Sequence, residues 1–179
     1  KALPQCEKAL KDGKDVLCFT DDVDEFAVKM LGEYEGKQFK NVLSEEVSAS
    51  KEDDEKTEQD KDMLGKIKDA LGDKVSKVKV SSAIGDHAVC LSSEGEVSLE
   101  MEKVLNSMPG AEEKVKANKV LELNPAHPIY EKLKAVYGAN PDDIADYAEV
   151  LYQSARLVSG LNVEDPTAVT DKMFALLAK

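Results

Sequence analysis

The clearest helical pattern of hydrophobic positions lies near the end of the chain, in residues 142–159. Apolar residues recur there at intervals of three and four, the spacing of one face of a helix. They are Ile144, Tyr147, Ala148, Leu151, Ala155 and Val158. Val150 and Leu157 widen the apolar sector on its flank. Asn140 before this segment can cap a helix, and Gly160 after it suits the left-handed conformation in which helices often end.

A second helix is predicted from residue 166 to the end of the chain. Its apolar positions are Val169, Met173, Phe174, Leu176 and Leu177. Two short helices can bury one apolar stripe each against one another, so the body of the chain or a second copy of the pair must cover the remainder. The pattern alone favours a hairpin packed on its own domain, because most apolar stripes are intramolecular core.

The first 47 residues have the pattern of a small α/β unit. Residues 16–19 form a short apolar run that predicts a buried strand, and residues 39–43 predict a second strand. Between them, apolar positions from Val23 to Leu31 predict a helix that ends near residues 34–36. Two strands joined through a helix by short links imply a parallel pair.

The middle of the chain predicts further helices and a hairpin. Residues 45–62 are rich in acids and indicate a linker that becomes a solvated helix, amphipathic from residue 63 onward. Residues 75–82 and 88–91 predict the strands of a short antiparallel hairpin. Residues 115–123 have a helical period. The fold class expected from these elements is α+β.

A separate apolar stripe lies in residues 97–108, where the sequence predicts a short helix. Its members are Val97, Met101, Val104, Leu105 and Met108. Methionine-rich stripes adapt to many partners, whereas the alternative is a plain core helix.

Composition excludes several classes of function. Charged residues make up 34% of the chain and its formal net charge is -12, so we expect no nucleic-acid partner and no anionic membrane partner. Cys6, Cys18 and Cys90 are odd in number and form no C-x-x-C pair, which is typical of reduced thiols in a cytoplasmic protein. The chain starts at Lys1 without a methionine, which suggests a fragment of a longer protein.

Candidate catalytic and metal-binding groups are few. Four acids cluster just before and at the start of the helix predicted from residue 23: Asp21, Asp22, Asp24 and Glu25. They are the carboxylates that a small enzyme or a metal site would use, but a helix N-terminus also favours negative charge. His87 has no second histidine, cysteine or carboxylate at a metal spacing. His127 is most simply a helix-entry residue next to Pro128. We therefore predict no catalytic and no metal-binding residues.

Five passages together resemble the ninety-kilodalton heat-shock chaperone family, in its bacterial form. They are residues 16–26 (Val-Leu-Cys-Phe-Thr-Asp-Asp-Val-Asp-Glu-Phe), residues 34–37 (Tyr-Glu-Gly-Lys), residues 98–108, residues 121–128 (Leu-Glu-Leu-Asn-Pro-Ala-His-Pro) and residues 160–166. Their order and spacing match over nearly the whole chain, which makes the combination specific.

The resemblance implies a division of the chain and a dimer. Residues 1–47 correspond to the end of the family's middle domain, and residues 48–179 to its C-terminal domain, which forms homodimers through a four-helix bundle. The implied interface residues are Ile144, Tyr147, Leu151, Leu157, Val158, Val169, Met173, Phe174, Leu176 and Leu177.

The family also presents an amphipathic helix to unfolded or partly folded client proteins. The matching segment is residues 98–108, with Val97, Met101, Val104, Leu105 and Met108 as implied contacts. The family's ATP-binding domain and catalytic arginine segment have no counterpart here, so we expect no cofactor and no ATPase in this chain, although ATP and magnesium would serve the parent protein. The Met-Glu-Glu-Val-Asp tail is also missing, so co-chaperones that read it are not expected.

Two alternative functions remain open at this point. The chain could be a purely structural dimerisation module without client contact, or a small enzyme that uses the acids at residues 21–25. Mass in solution and binding of an unfolded client would separate these alternatives.

Overall fold

The structure, a computed structural model, describes residues 3–44, 46, 50–108 and 114–178, and it is α+β as predicted. The chain begins with helices α1 (Pro4–Lys11) and α2 (Asp24–Leu31) and the two-residue strands β1 (Glu33–Tyr34) and β2 (Lys37–Gln38). The remaining strands are β3 (Lys77–Val80), β4 (Val89–Glu94) and β5 (Asn118–Leu123). The remaining helices are α3 (Lys51–Gln59), α4 (Lys61–Leu71), α5 (Leu99–Ser107), α6 (Pro128–Ala139), α7 (Ile144–Val158) and α8 (Pro166–Leu177).

Strand β5 is the centre of the main sheet. It pairs in parallel with β3, where Val78 lies beside Leu121, and antiparallel with β4, where Leu91 lies beside Leu121. The predicted hairpin of β3 and β4 is therefore wrong, because β5 lies between them. The helix predicted at residues 115–123 is also wrong, because most of this segment forms β5. Both faces of β5 are buried, so its sequence lacks the alternation that identifies a half-exposed strand.

The core lies between one face of this sheet and helices α4, α6 and α7. Its main side chains are Met63, Leu64, Ile67 and Leu71 of α4, Val78, Val80, Leu91, Leu121 and Leu123 of the sheet, Tyr130 and Leu133 of α6, and Ile144, Ala148, Leu151 and Ala155 of α7. Burial of apolar surface of this kind is the dominant favourable contribution to folding.

The first part of the chain differs from its predicted α/β form. Residues 16–19 are not a strand, and Leu17 and Phe19 are 61% and 51% exposed. Residues 39–43 are also irregular. Just after them, Ser44 forms an isolated β-bridge with Ser93. A strand needs a neighbouring backbone for its hydrogen bonds. None of the described residues pairs with residues 16–19 as a strand, so the predicted parallel pair does not form.

Helix α3 protects the free edge of the sheet at β3. The backbone N–H of Val80 donates to Thr57 Oγ1 at 2.9 Å, and the N–H of Ser82 donates to Asp53 Oδ2 at 3.0 Å. Asp53 and Thr57 are one helical turn apart and therefore share a face. The helix was predicted to be solvated, and this face of it occupies the edge at which another strand could add.

Candidate functional site

The helix pair at the end of the chain forms as predicted. Gly160, at φ +74°, lies just beyond α7, where a left-handed conformation ends the helix. Asp165 caps α8, since its Oδ1 accepts a hydrogen bond of 3.0 Å from the N–H of Ala168. Lys172 pairs with Asp146 at 3.4 Å, which places the two helices side by side and antiparallel.

The main apolar stripe of α7 faces inward. Ile144, Tyr147 and Leu151 are buried among the core residues of the same chain, against α4 and β4. Five members of this stripe are intramolecular core, as the pattern alone favours, whereas its last member, Val158, is exposed. Ile144, Tyr147 and Leu151 were implied to lie in a dimer interface, but their side chains are already covered within one chain.

The other implied interface residues lie on the surface. The exposed side chains are Leu157 at 62%, Val158 at 37%, Met173 at 43%, Phe174 at 66% and Leu177 at 79%. Val169 and Leu176 are half-buried, and Leu176 packs against the core. No residue of α8 is buried. We call the five exposed side chains the apolar surface of α7 and α8.

Helix α5 has a buried and a half-exposed side. Ser98 caps it by accepting a hydrogen bond of 3.0 Å from the N–H of Met101. Leu99 and Val104 are buried, so Val104 anchors the helix and is not a surface contact as the resemblance implied. Val97, Met101 and Leu105 are half-buried, and Met108 is exposed.

The acids near the start of α2 have structural partners. Asp24 Oδ2 accepts the N–H groups of Thr20 and Asp21, at 3.2 and 3.1 Å, which is the helix-start role that the sequence offered as an alternative to catalysis. Glu25 accepts hydrogen bonds of 2.8 Å from Ser98 Oγ and from Asn41 Nδ2. Glu25 thus links α2 to the cap of α5. No spacing in the sequence signals this contact. Among the described residues, no group of acids, histidines and cysteines could hold a metal ion.

A buried polar cluster lies on the other face of the sheet. Glu122 accepts a hydrogen bond from Ser92 Oγ and pairs with Lys79 at 3.6 Å. Gln5 Nε2 of α1 donates to Cys90 Sγ at 3.0 Å. Burial, and secondly the Glu122 carboxylate, raise the pKa of the Cys90 thiol, which keeps it protonated and a poor nucleophile. The cluster therefore joins α1 to the sheet and offers no reactive group.

Comparison with known proteins places the chain in a family. The family model described as "Hsp90 protein" matches residues 1–179. The chain is 44% identical over 174 residues to the "Chaperone protein HtpG" of Bacillus velezensis, covering 94% of this chain and 28% of that protein. The protein of the same name from Clostridium perfringens is 45% identical over 177 residues, covering 98% of this chain and 28% of that protein, and that from Bacillus subtilis is 39% identical over 176 residues, covering 96% and 28%.

The chain belongs to the Hsp90 family. Within the family it is similar to bacterial chaperones of the HtpG type, which confirms the resemblance read from the sequence. It spans 28% of the length of these relatives. None of its described helices is long and apolar enough to cross a membrane.

Proposed function

We propose that this chain is the homodimerisation and client-contacting part of an ATP-dependent chaperone that assists protein folding under stress. The relatives are named chaperones, and this chain corresponds to a limited part of each of them. The division proposed is residues 1–47 as the end of the middle domain and residues 48–179 as the C-terminal domain.

The observation that carries the proposal is the exposure of α8. This helix of 12 residues has no buried side chain, yet Met173, Phe174 and Leu177 present large apolar groups to solvent. A soluble protein seldom leaves such groups uncovered. A second copy related by two-fold symmetry brings the same surface against itself and closes the assembly. Two α7–α8 pairs then make a four-helix bundle.

Client contact is assigned to α5. Met101 and Leu105 are half-buried and Met108 is exposed, so this side of the helix offers flexible apolar groups to an unfolded chain. The buried residues Leu99 and Val104 fix the helix to the core and keep that side outward.

The remainder of the longer protein is assigned two roles. It covers the exposed apolar residues of the first part, such as Leu17, Phe19 and Met30. By the family resemblance it also binds ATP. This chain itself has no glycine-rich phosphate loop and carries a net charge of -12, so we expect it not to bind ATP. We expect calorimetry of this chain with ATP and magnesium to show no binding heat.

Sedimentation equilibrium tests the dimer. We expect the intact chain to be a dimer at micromolar concentration, and the variant Phe174→Glu with Leu177→Glu to be a monomer, because like charges would then meet across the two-fold axis. Met30→Glu is the matched control, since Met30 is 90% exposed and lies outside α7 and α8. It should remain dimeric. An intact chain that stays monomeric would contradict the proposal.

A further inference from the structure

Two cations approach the ring of Tyr152 in α7. Lys74 Nζ and the Arg156 guanidinium carbon are each 5.7 Å from the ring centroid. The ring and its neighbours form a connected polar cluster that we call the clamp. Its members are Lys74, Glu149, Tyr152, Gln153, Arg156 and Glu164. Neither dimerisation nor client contact, as proposed above, uses any of them.

Arg156 fastens the connection between α7 and α8. Its Nη1 donates to Glu164 Oε1 at 2.7 Å and to the Tyr152 hydroxyl at 3.2 Å, and its Nε donates to the carbonyl oxygen of Asn162 at 2.8 Å. The carbonyl oxygen of Arg156 also accepts the N–H of Leu161 at 2.8 Å. One residue of α7 therefore holds three residues of the connection, and Glu164 stands just before the cap of α8.

The other side of the clamp includes one buried residue and an ion pair. Gln153 is 1% exposed, and its Oε1 accepts the N–H of Glu164 at 3.3 Å. Lys74, at the turn after α4, pairs with Glu149 at 2.7 Å and approaches Glu164 at 3.8 Å. Hydrogen bonds from Lys74 and Gln153 lower the pKa of Glu149 although its partial burial acts to raise it. Glu164 is thus held by the buried Gln153 and lies within reach of Lys74.

Helix α8 itself has weaker attachments. Its ion pair, Lys172 with Asp146, joins side chains that are 41% and 48% exposed, and such pairs contribute little. Leu176 is half-buried against the core. The direction of α8 is therefore set mainly where it begins.

We propose that the clamp fixes the direction in which α8 leaves α7, and that Arg156 and Glu164 are positioning residues for dimerisation. This inference rests on the proposed function, because it assigns to the clamp the shape of the surface that α7 and α8 present to a second copy. When the Arg156–Glu164 contact is lost, α8 samples other directions and the two-fold surface no longer matches itself.

The test compares Arg156→Ala, Arg156→Lys and Glu164→Gln with the intact chain. We expect Arg156→Ala to raise the dimer dissociation constant about tenfold, which is the effect of roughly 1.4 kcal/mol. Arg156→Lys keeps the charge but loses the planar fork, so its effect should be smaller. Glu58→Gln is the control, because it neutralises an exposed glutamate that pairs with Lys61, which is not a member of the clamp.

Hydrogen exchange of the same variants distinguishes positioning from general stability. We expect faster exchange in α8 and unchanged exchange in β5. Three results are decisive. If the intact chain is a monomer, the proposed function fails. If the intact chain is a dimer and Arg156→Ala leaves its dissociation constant unchanged, the inference fails while the function stands. If β5 loses protection together with α8, the clamp supports the whole fold and the inference is again overturned.

Discussion

The Tyr130 hydroxyl donates a hydrogen bond of 2.7 Å to the Asp60 carboxylate and so ties α6 to the junction between α3 and α4. Lys134 and Lys56 pair with the same carboxylate at 3.2 and 3.6 Å. Lys134 also lies 5.4 Å from the centre of the Tyr130 ring. One acidic residue therefore organises three helices at the edge of the core.

Replacing Tyr130 by phenylalanine should destabilise the fold. The ring is fully buried and would still pack, but Asp60 would lose its shortest hydrogen bond. We expect a loss of about 1.5–3 kcal/mol in the free energy of unfolding, the range for a hydrogen bond to a charged group. Urea denaturation measures it. Tyr34→Phe is the matched control, since Tyr34 is exposed, and it should have no effect; equal losses in both variants would contradict this role for Asp60.

Stability should fall at acidic pH through Asp60 and Glu149. Partial burial acts to raise both pKa values, but hydrogen bonds from Tyr130 and Lys134 to Asp60, and from Lys74 and Gln153 to Glu149, lower them below the ordinary 3.8 and 4.5. The unfolded chain then binds more protons than the folded chain. The contribution is therefore present above these ordinary values and is lost as the pH falls through the folded pKa values.

The measurement is thermal melting as a function of pH. Asp60→Asn should melt at a lower temperature near neutral pH and lose less stability on acidification than the intact chain does. Asp142→Asn is a useful comparison, because Asp142 also has a lowered pKa, from its hydrogen bond with Lys66, but is fully exposed. It should leave the acid dependence nearly unchanged. Parallel acid curves for Asp60→Asn and the intact chain would refute the prediction.

Helices α4 and α7 could be predicted from the sequence because each has one apolar face and recognisable ends. Helix α4 has Met63, Leu64, Ile67 and Leu71 on one side, and the structure buries all four. Helix α7 was predicted within a few residues of its bounds. The pattern also indicated correctly that its main stripe belongs to the core of one chain, whereas the family resemblance placed Ile144, Tyr147 and Leu151 in the interface.

The sheet could not be predicted because its order depends on contacts distant in the chain. Strand β5 joins β3 from about forty residues earlier, and its two buried faces hide the strand alternation. The bond of Glu25 with Ser98 and the clamp of Arg156 with Glu164 likewise depend on how elements pack. No local spacing in the sequence records either contact.

The edge of the sheet at β3 should depend on Thr57. Thr57→Val removes the acceptor for the Val80 N–H while keeping the shape of the side chain. We expect a loss of about 1–2 kcal/mol, since a partly buried donor would be left unsatisfied. Thr57→Ser restores the hydroxyl and should regain most of the stability. Chemical denaturation of the two variants measures the difference; equal stability of the serine and valine variants would show that the hydroxyl is not needed.

Helix α5 provides a direct comparison of surface and core on one element. Met101 and Leu105 are half-buried, whereas Val104 is 8% exposed. We expect the double variant Met101→Ser with Leu105→Ser to lose little stability, about 0.5 kcal/mol for each of the two substitutions, which is usual for surface positions. Val104→Ser should cost more, roughly 2–3 kcal/mol, because it leaves a cavity and buries a hydroxyl. Thermal melts of the two variants measure this difference in stability.

The two variants should rank in the opposite order for client capture: the double variant, which loses less stability, should lose more of the ability to bind an unfolded protein. The double variant loses the apolar side chains that we assign to client contact, so it should suppress the aggregation of an unfolded protein less well than the intact chain. Val104→Ser, measured below its melting temperature, keeps Met101 and Leu105 and should retain more of this ability. If the free energy of unfolding of the double variant falls by several kcal/mol, the apolar stripe of α5 belongs to the core. If it captures the unfolded protein as well as the intact chain does, α5 is a structural helix and the chain dimerises without contacting clients through it.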